Sequence, residues 1–285
     1  MTKQNKVLVV GATGNVGRHV VTMLNERDTP VRALTRRPES TQLPAGVEVV
    51  PGDLTRTDTL NAALDDLDAV FLVWRSLPVE AAPPVVDVIS KYARRVVFLS
   101  SIAVNDNLEQ QVNPIGELHA SIERSIEASG LEWSFLRPAA FATNTREWAP
   151  QIRAGDVVRG AYGASTMTLI HERDIAAVAV RALSGAEHIG AKYVLTGSEV
   201  LTQAGAVSAI GEVIGRPLRW EESSSEEERE RLRGWLPPSF VEFILEGRAA
   251  AVHSTPVVTS TVADVTGAPA RTFREWVTDH ASDFR

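Results

Sequence analysis

The stretch Gly11-Ala12-Thr13-Gly14-Asn15-Val16-Gly17 decides the fold. It directly follows the short apolar run Val7–Val10 and opens a helical pattern that continues to Asn25. In such a strand–turn–helix unit the first glycine permits the sharp turn, the second lets the backbone approach a pyrophosphate, and the third lets the helix pack on the sheet. Free N–H groups at the start of the helix attract the phosphates. We therefore predict that a dinucleotide is bound by Gly11, Thr13, Gly14, Asn15, Val16 and Gly17.

Short apolar runs alternate with helical patterns through the first half of the chain. The predicted strands are Val7–Val10, Val31–Thr35, Val47–Val50, Ala69–Val73, Val96–Leu99 and Trp133–Leu136. The predicted helices between them are Val16–Asn25, Thr57–Leu64, Val85–Tyr92 and His119–Ser129. Strands that are apolar on both faces are typical of a parallel sheet covered by helices on each side. The alternation predicts an α/β protein with a doubly wound, parallel-sheet Rossmann fold.

The rhythm becomes irregular after Arg137. We expect a strand at Thr168–Ile170, a helix at Asp174–Leu183 and a strand at Tyr193–Leu195. Thr202 is expected to cap a helix that runs to Ile214, and Ser225 with Glu228 matches a capping box. The predicted Rossmann core comprises residues 1–140 and about 174–196. The remainder, residues 141–173 and 202–285, is predicted to form a small C-terminal α/β substrate lobe that is not an independent domain.

Composition restricts the classes of function. The chain has 285 residues, a hydrophobic fraction of 44% and a net charge of −7, which favours a globular protein and argues against nucleic-acid binding. It contains no cysteine, so disulfides, thiolate nucleophiles and Cys-ligated metals are excluded. The sequence shows no signal peptide and no membrane-spanning run, and we expect a cytoplasmic protein. A homodimer is compatible with the sequence.

The end of the second predicted strand indicates which dinucleotide is bound. An NAD protein usually carries Asp or Glu about 20 residues beyond the glycines, where it binds the ribose 2′-hydroxyl. This chain instead carries Arg36 and Arg37. A guanidinium matches a 2′-phosphate in charge and in hydrogen-bonding geometry. The sequence therefore predicts NADP(H) as cofactor, with two solvated surface arginines as the alternative.

Further cofactor contacts are expected where the third and fourth strands end. Asp53, with Leu54 after it, follows the third strand; Asp53 either accepts from the adenine amino group or caps the next turn. The segment Val73-Trp74-Arg75 ends the fourth strand and is expected beside the nicotinamide ribose. Trp74 is equally compatible with a packed core aromatic.

Several segments together resemble the NmrA-like group of atypical short-chain dehydrogenases/reductases. They are GATGNVG, RALTRRP, VVPGDL, VFLVW, VVFLSS, SGLEWSFLRPAAFATN, LIHERDIAAVAV and GAPARTFREWVTDH. The resemblance implies an NADP(H)-binding Rossmann core with a small C-terminal substrate lobe. It also implies that Pro138 and Phe141 flank the nicotinamide, and that Ser100 and Ser101 lie where ordinary members of the superfamily keep a catalytic serine.

The chain departs from the superfamily at the catalytic helix. Ordinary members use Tyr-x-x-x-Lys, in which the lysine lowers the pKa of the tyrosine. Here His119 and Glu123 keep the spacing, but both residue types are replaced. Histidine can act as an acid near neutral pH, and a carboxylate beside it would raise its pKa. The pair is either this proton donor, with Ser101 as a further candidate, or an ordinary pair on one helix face.

The sequence as a whole indicates an NADPH-dependent oxidoreductase that transfers hydride to a small aromatic or conjugated acceptor of the quinone or enone class. The residues expected to line the acceptor pocket are Trp74, Phe141, Trp148 and His171. No metal is expected, because His171, Glu172 and Asp174 lack a second ligand group; Asp174 is expected to cap the following helix. The alternatives are a non-catalytic NADP(H) sensor or regulator, and a tailoring enzyme of ketoreductase, isomerase or epimerase type.

Overall fold

The computed structural model describes residues 6–75, 77–234 and 236–285. Within these ranges, strands and helices alternate as far as the sixth strand. The strands are β1 (Val7–Val10), β2 (Val31–Thr35), β3 (Glu48–Pro51), β4 (Ala69–Val73), β5 (Arg95–Leu99), β6 (Glu132–Pro138), β7 (Val157–Gly160), β8 (Thr166–Met167), β9 (Ala191–Leu195), β10 (Leu201–Thr202) and β11 (Arg219–Glu222).

Most of the helices lie between successive strands, and the last four follow β11. The helices are α1 (Gly17–Asn25), α2 (Leu60–Leu64), α3 (Ala82–Tyr92), α4 (Pro114–Glu127), α5 (Ala149–Ala154), α6 (Glu172–Ser184), α7 (Gln203–Ile214), α8 (Ser225–Arg233), α9 (Pro238–Ala251), α10 (Thr261–Thr266) and α11 (Phe273–Asp279). Short 3₁₀ turns lie at Pro38–Ser40, Thr57–Thr59, Val79–Ala81, Ala142–Trp148, Ala186–His188 and Ala281–Phe284. Within the described ranges, none of the helices has both the length and the hydropathy needed to cross a bilayer.

The central sheet has the order β3-β2-β1-β4-β5-β6-β9, and all of its neighbouring strands are parallel. The chain moves outward from β1 to β3, then returns to the other side of β1 at β4. The order therefore reverses between β1 and β4, and ligands of open α/β sheets bind at the carboxyl ends of the strands at such a reversal. The predicted doubly wound Rossmann fold is confirmed.

The first compact unit comprises residues 1–138, 172–195 and 264–267 as far as they are described. Its strands are buried because helices cover the sheet: α1 packs on α6, and α3 packs on α4. The apolar core between sheet and helices includes Leu8, Val70, Leu72, Phe98, Ile122 and Phe135. This core holds the carboxyl ends of β1 to β6 in fixed positions, and the predicted cofactor residues lie at those ends.

The second compact unit comprises residues 139–171, 196–263 and 268–285 as far as they are described. It contains an antiparallel pair, β8 with β10, and a parallel pair, β7 with β11. Its apolar core is built around Trp148, Val158, Ile210, Phe273, Trp276 and Phe284. The helix predicted after Thr202 is confirmed, since the Thr202 hydroxyl accepts from Gly205 N at 2.9 Å.

Several predicted element boundaries differ from those in the structure; the helix expected at His119–Ser129, for example, is α4, Pro114–Glu127. The strand expected at Thr168–Ile170 is displaced to β8, and Ile170 instead forms an isolated bridge with Phe141. Helix α6 begins at Glu172, so Asp174 lies inside its first turn rather than capping it.

The predicted capping box is also displaced, from Ser225 and Glu228 to the preceding pair. Ser224 Oγ accepts from Glu227 N at 3.2 Å, and Glu227 Oε2 accepts from Ser224 N at 2.8 Å. The run of serines followed by glutamates satisfies the Ser-x-x-Glu spacing in more than one register, so spacing alone does not select the cap. Glu228 is buried, and its Oε1 accepts from Arg248 Nη1 at 2.6 Å.

Candidate active site

The turn after β1 has a shape that only glycine allows. Gly11 has φ +74°, in the left-handed region, and Gly14 N donates to Gly11 O at 2.9 Å. A Cβ added to Gly17 would lie 2.1 Å from Gly11 O, far inside van der Waals contact. The three glycines therefore bring the start of α1 directly against the turn, as the dinucleotide fingerprint requires.

The N-terminus of α1 fits a pyrophosphate. Its N-cap residue, Val16, makes no side-chain capping hydrogen bond, and its first turn contains no acidic residue. Thr13 and Asn15 are exposed on the turn, whereas the side chain of Val16 is buried, so Val16 can face a ligand only through its backbone. Uncapped N–H groups and the positive end of the helix dipole favour an anion here.

The ends of β2 and β3 lie side by side at the same edge of the sheet. Thr35 is paired with Pro51, and Gly52 N donates to Thr35 O at 3.0 Å. A Cβ on Gly52 would lie 2.4 Å from Leu34 Cδ1, so the chain after β3 passes close to β2. Arg36 and Arg37, which follow β2, are both exposed. This places two cations at the edge where the sequence predicts the adenosine half of the cofactor.

Asp53 closes a local turn at this edge. The pKa of its carboxyl is lowered, chiefly because Thr55 N donates to Oδ1 at 2.9 Å, with smaller contributions from the charges of Arg36 and Arg56. The turn role weighed for Asp53 is therefore present in the structure, and an adenine contact stays a prediction. Sequence reasoning missed Arg56, although its position in Gly-Asp-Leu-Thr-Arg put a second cation close to Asp53.

Two side chains assigned to the cofactor or the acceptor lie in the apolar core. Leu54 and Trp74 are 8% and 5% exposed and pack in the apolar core of the first unit. Trp74 Nε1 donates to Leu77 O at 3.3 Å, which satisfies the polar atom of the indole within the protein. The core role weighed for Trp74 is therefore present in the structure, and a contact with the cofactor or the acceptor stays a prediction. Val73 is half-buried beneath Gly11, and Arg75 is exposed.

The two serines after β5 differ in their surroundings. Ser100 is buried, and its hydroxyl donates to Glu123 Oε1 at 2.5 Å. Ser101 is half-buried, and its Oγ accepts from Ala103 N at 3.1 Å. Ile102 N donates to Pro138 O at 3.1 Å, so the chain leaving β5 is bound to the end of β6. Of the two hydroxyls, that of Ser101 is the more accessible to a ligand.

His119 does not form the predicted pair with Glu123. Burial lowers the pKa of His119 to about 4, which is opposite to the increase that a neighbouring carboxylate would cause. Glu123 Oε1 and Oε2 accept instead from the buried guanidinium of Arg137 at 3.0 and 2.5 Å. The His119 ring lies 5.6 Å from that of Phe98, and its buried Nδ1 has no hydrogen-bond partner among the residues that the structure describes. The imidazole is therefore neutral at pH 7.

Three residues predicted to contact the nicotinamide or the acceptor lie in the second unit. Phe141 is half-buried and bridges to Ile170. His171 is buried, and its Nε2 lies 3.4 Å from Asp279 Oδ2. Trp148 is 2% exposed, packs in the apolar core of this unit and makes an edge contact with Trp220 at 6.0 Å. The assignment of Trp148 to the acceptor pocket is wrong, because the core encloses its ring.

Comparison with known proteins shows the family to which the chain belongs. A family model described as NAD(P)H-binding matches residues 11–185, which is more than half of the chain. The chain is similar to a (4-alkanoyl-5-oxo-2,5-dihydrofuran-3-yl)methyl phosphate reductase of Streptomyces griseus, with 39% identity over 98% of this chain and 99% of the relative. It is also similar to an NAD(P)H azoreductase of Xenophilus azovorans, with 34% identity over 98% and 99% of the two chains.

The fold is shared with a solved NADPH-dependent quinone oxidoreductase of Escherichia coli. The TM-score is 0.79 at 21% identity, covering 96% of this chain and 99% of that one. The chain therefore belongs to the NAD(P)H-binding protein family. Within that class it is an NAD(P)H-dependent oxidoreductase, and its resemblance to the NmrA-like atypical short-chain dehydrogenases/reductases is confirmed.

Proposed function

We propose that this oxidoreductase uses NADPH in preference to NADH. The observation that carries this proposal is the exposed Arg36 at the end of β2, where an NAD protein has an acidic residue. Arg37 and Arg56 are further exposed cations at this edge, so its positive charge can neutralise the two charges of a 2′-phosphate. Arg36 and Arg37 are the residues assigned to the phosphate, and Asp53 to the adenine.

We further propose that the acceptor is a small molecule with a conjugated carbonyl group. The name of the Streptomyces griseus relative describes a five-membered lactone whose ring double bond is conjugated to carbonyl groups. Bound NADPH supplies a hydride, which would add to the carbon β to the carbonyl. The electron pair of the double bond forms a new bond between the α-carbon and the carbonyl carbon, the π pair of the carbonyl moves onto its oxygen, and a proton then reaches the α-carbon as the carbonyl re-forms. A quinone accepts hydride by the same conjugate chemistry, and quinone remains the second acceptor class.

The neutral imidazole of His119 is suited to donating a hydrogen bond to the developing enolate oxygen. An imidazole whose pKa is about 4 holds a single N–H proton at pH 7, so the proposed role is that of a hydrogen-bond donor rather than of an acid. Ser101, which is half-buried, or solvent would then deliver the proton. Phe141 and His171 remain the side chains proposed to contact the acceptor.

The experiment compares acceptor classes with one enzyme preparation. The rate of NADPH oxidation is followed by the loss of NADPH absorbance, with an alkanoyl butenolide, a simple quinone or an azo dye as the acceptor. We expect the butenolide to give the highest kcat/KM, and His119→Ala to lower kcat for it more than for the quinone, which needs less help from a hydrogen-bond donor. Binding of NADPH without oxidation by any acceptor would refute the proposal and favour a regulator. Equal loss of kcat for both acceptors would remove the role assigned to His119.

A further inference from the structure

A buried guanidinium lies at the end of β6, one residue before Pro138. Arg137 is 4% exposed and binds two carboxylates in a bidentate manner. Its Nε and Nη2 donate to Glu123 at 3.0 and 2.5 Å, and its Nη1 and Nη2 donate to Asp106 at 2.7 and 2.8 Å. Bidentate contacts between arginine and carboxylate are among the strongest and most directional hydrogen bonds in proteins. The position of Asp106 relative to β6 is therefore tightly defined.

The same carboxylates bind groups from neighbouring elements. The Ser100 hydroxyl at the end of β5 donates to Glu123 on α4 at 2.5 Å. Lys192 Nζ on β9 donates to Asp106 Oδ1 at 3.0 Å. Because Arg137 and, to a lesser extent, Lys192 bind it, Asp106 has a pKa far below its usual range. We call Arg137, Glu123, Asp106, Ser100 and Lys192 the Arg137 network.

The Arg137 network fixes one loop. Residues 100–113, here called the β5–α4 loop, connect β5 to α4, and Asp106 lies near the middle of this loop. Its beginning is held by Ile102 N, which donates to Pro138 O at 3.1 Å. Asp106 is more than half exposed, so the loop itself is not part of the core. Without Arg137, the middle of the loop would lose its bidentate contact to the sheet.

Stability alone does not account for this arrangement. Buried ion pairs rarely stabilise a fold more than apolar side chains of the same volume, because desolvation offsets the attraction between the charges. Charged residues that are buried where apolar side chains would serve the fold equally well mark functional positions more often than other residues do. Glu123 occupies the position of the lysine in Tyr-x-x-x-Lys, and its buried carboxylate is bound by a cation from β6, Arg137.

We propose that Arg137 is a positioning residue that holds the β5–α4 loop against the nicotinamide half of the cofactor. The inference rests on the proposed function. A dinucleotide crosses the sheet at its reversal point, with one half over β1 to β3 and the other over β4 to β6. Arg36 and Asp53 mark the first half as the adenosine side. The β5–α4 loop leaves the carboxyl end of β5 and therefore belongs to the other half.

The test separates the two halves of the cofactor without requiring turnover. Asp106→Asn removes the bidentate charge contact but leaves Arg137 paired with Glu123, whereas replacing Arg137 would leave a buried carboxylate unpaired. The matched control is Glu109→Gln, which removes an exposed carboxylate from the same loop. Binding of NADPH and of adenosine 2′,5′-bisphosphate, which lacks the nicotinamide half, is measured by calorimetry.

We expect Asp106→Asn to lower the affinity for NADPH at least about fivefold (about 1 kcal/mol) and to leave the affinity for the bisphosphate unchanged. Glu109→Gln should change neither affinity. Equal weakening of both ligands would overturn the inference, because it indicates a general structural defect. Unchanged affinity for both would overturn it as well. Failure of the proposed reduction is recognised separately, as wild-type protein that binds NADPH but reduces no acceptor.

Discussion

Replacing Gly17 with alanine should damage both the fold and cofactor binding. The new Cβ would lie 2.1 Å from Gly11 O and 2.7 Å from the carbonyl carbon of Gly11. These are backbone atoms, so no side chain can rotate away, and the turn would have to move by about 1 Å to reach an acceptable contact. Overpacking typically costs about 1–3 kcal/mol, and the rigidity of the contact places this variant near 3 kcal/mol. The same shift breaks the Gly14 N to Gly11 O bond that shapes the phosphate site.

The assay combines urea denaturation with calorimetric titration of NADPH. Gly17→Ala should lose about 3 kcal/mol of unfolding free energy and at least about tenfold in NADPH affinity. Gly155→Ala is the control, since its Cβ would meet no atom within 4 Å and its φ of 178° suits any residue. A Gly17→Ala protein with the stability and NADPH affinity of the Gly155→Ala control would show that the contact between α1 and the turn is not needed.

Three further predictions follow from the same geometry. Arg36→Glu should reverse the NADPH/NADH affinity ratio, because a carboxylate repels the 2′-phosphate and accepts from a 2′-hydroxyl; an unchanged ratio would remove Arg36 from the site. Burial lowers the pKa of His119 from 6.5 to about 4, so its contribution to stability is complete above pH 6.5 and is lost between pH 6.5 and 4, by at most about 3 kcal/mol. His119→Gln should abolish that loss, which is measured as the difference in unfolding free energy between pH 7.5 and pH 5 by urea denaturation. The same difference in the wild-type and variant proteins would contradict the prediction. Ser224→Ala should cost about 1 kcal/mol and Ser225→Ala much less; the reverse order would restore the capping box predicted from the sequence.

Much of the fold was predictable because its strands are short, apolar and bounded by turns. The predicted limits of Val7–Val10, Val31–Thr35 and Ala69–Val73 agree with β1, β2 and β4 to the residue. The glycine turn was predictable for a different reason, since each glycine meets a separate steric requirement in the structure. The strand pattern and the glycine turn both depend on the conformation of a few neighbouring residues, so they can be recognised from the sequence alone.

The side chains of the site were harder to predict because their roles depend on packing between distant elements. From the sequence alone, Trp74 and Trp148 cannot be distinguished from aromatic residues that line a pocket. In the structure, Trp74 is enclosed by the apolar core of the first unit and Trp148 by that of the second. The spacing of His119 and Glu123 suggested a pair, but the partner of Glu123 lies 14 residues away on β6. One signal was available: Arg137 is a charged residue next to an apolar run predicted as a central strand, and a buried cation needs a carboxylate partner.

We propose that this NAD(P)H-dependent oxidoreductase selects NADPH through the cations that follow β2. The most direct measurement is the kcat/KM of the wild-type protein for NADPH and for NADH with one conjugated acceptor at a saturating concentration. We expect the value for NADPH to be higher by about tenfold or more, equivalent to about 1.4 kcal/mol of phosphate recognition. Equal values, or a higher value for NADH, would contradict it.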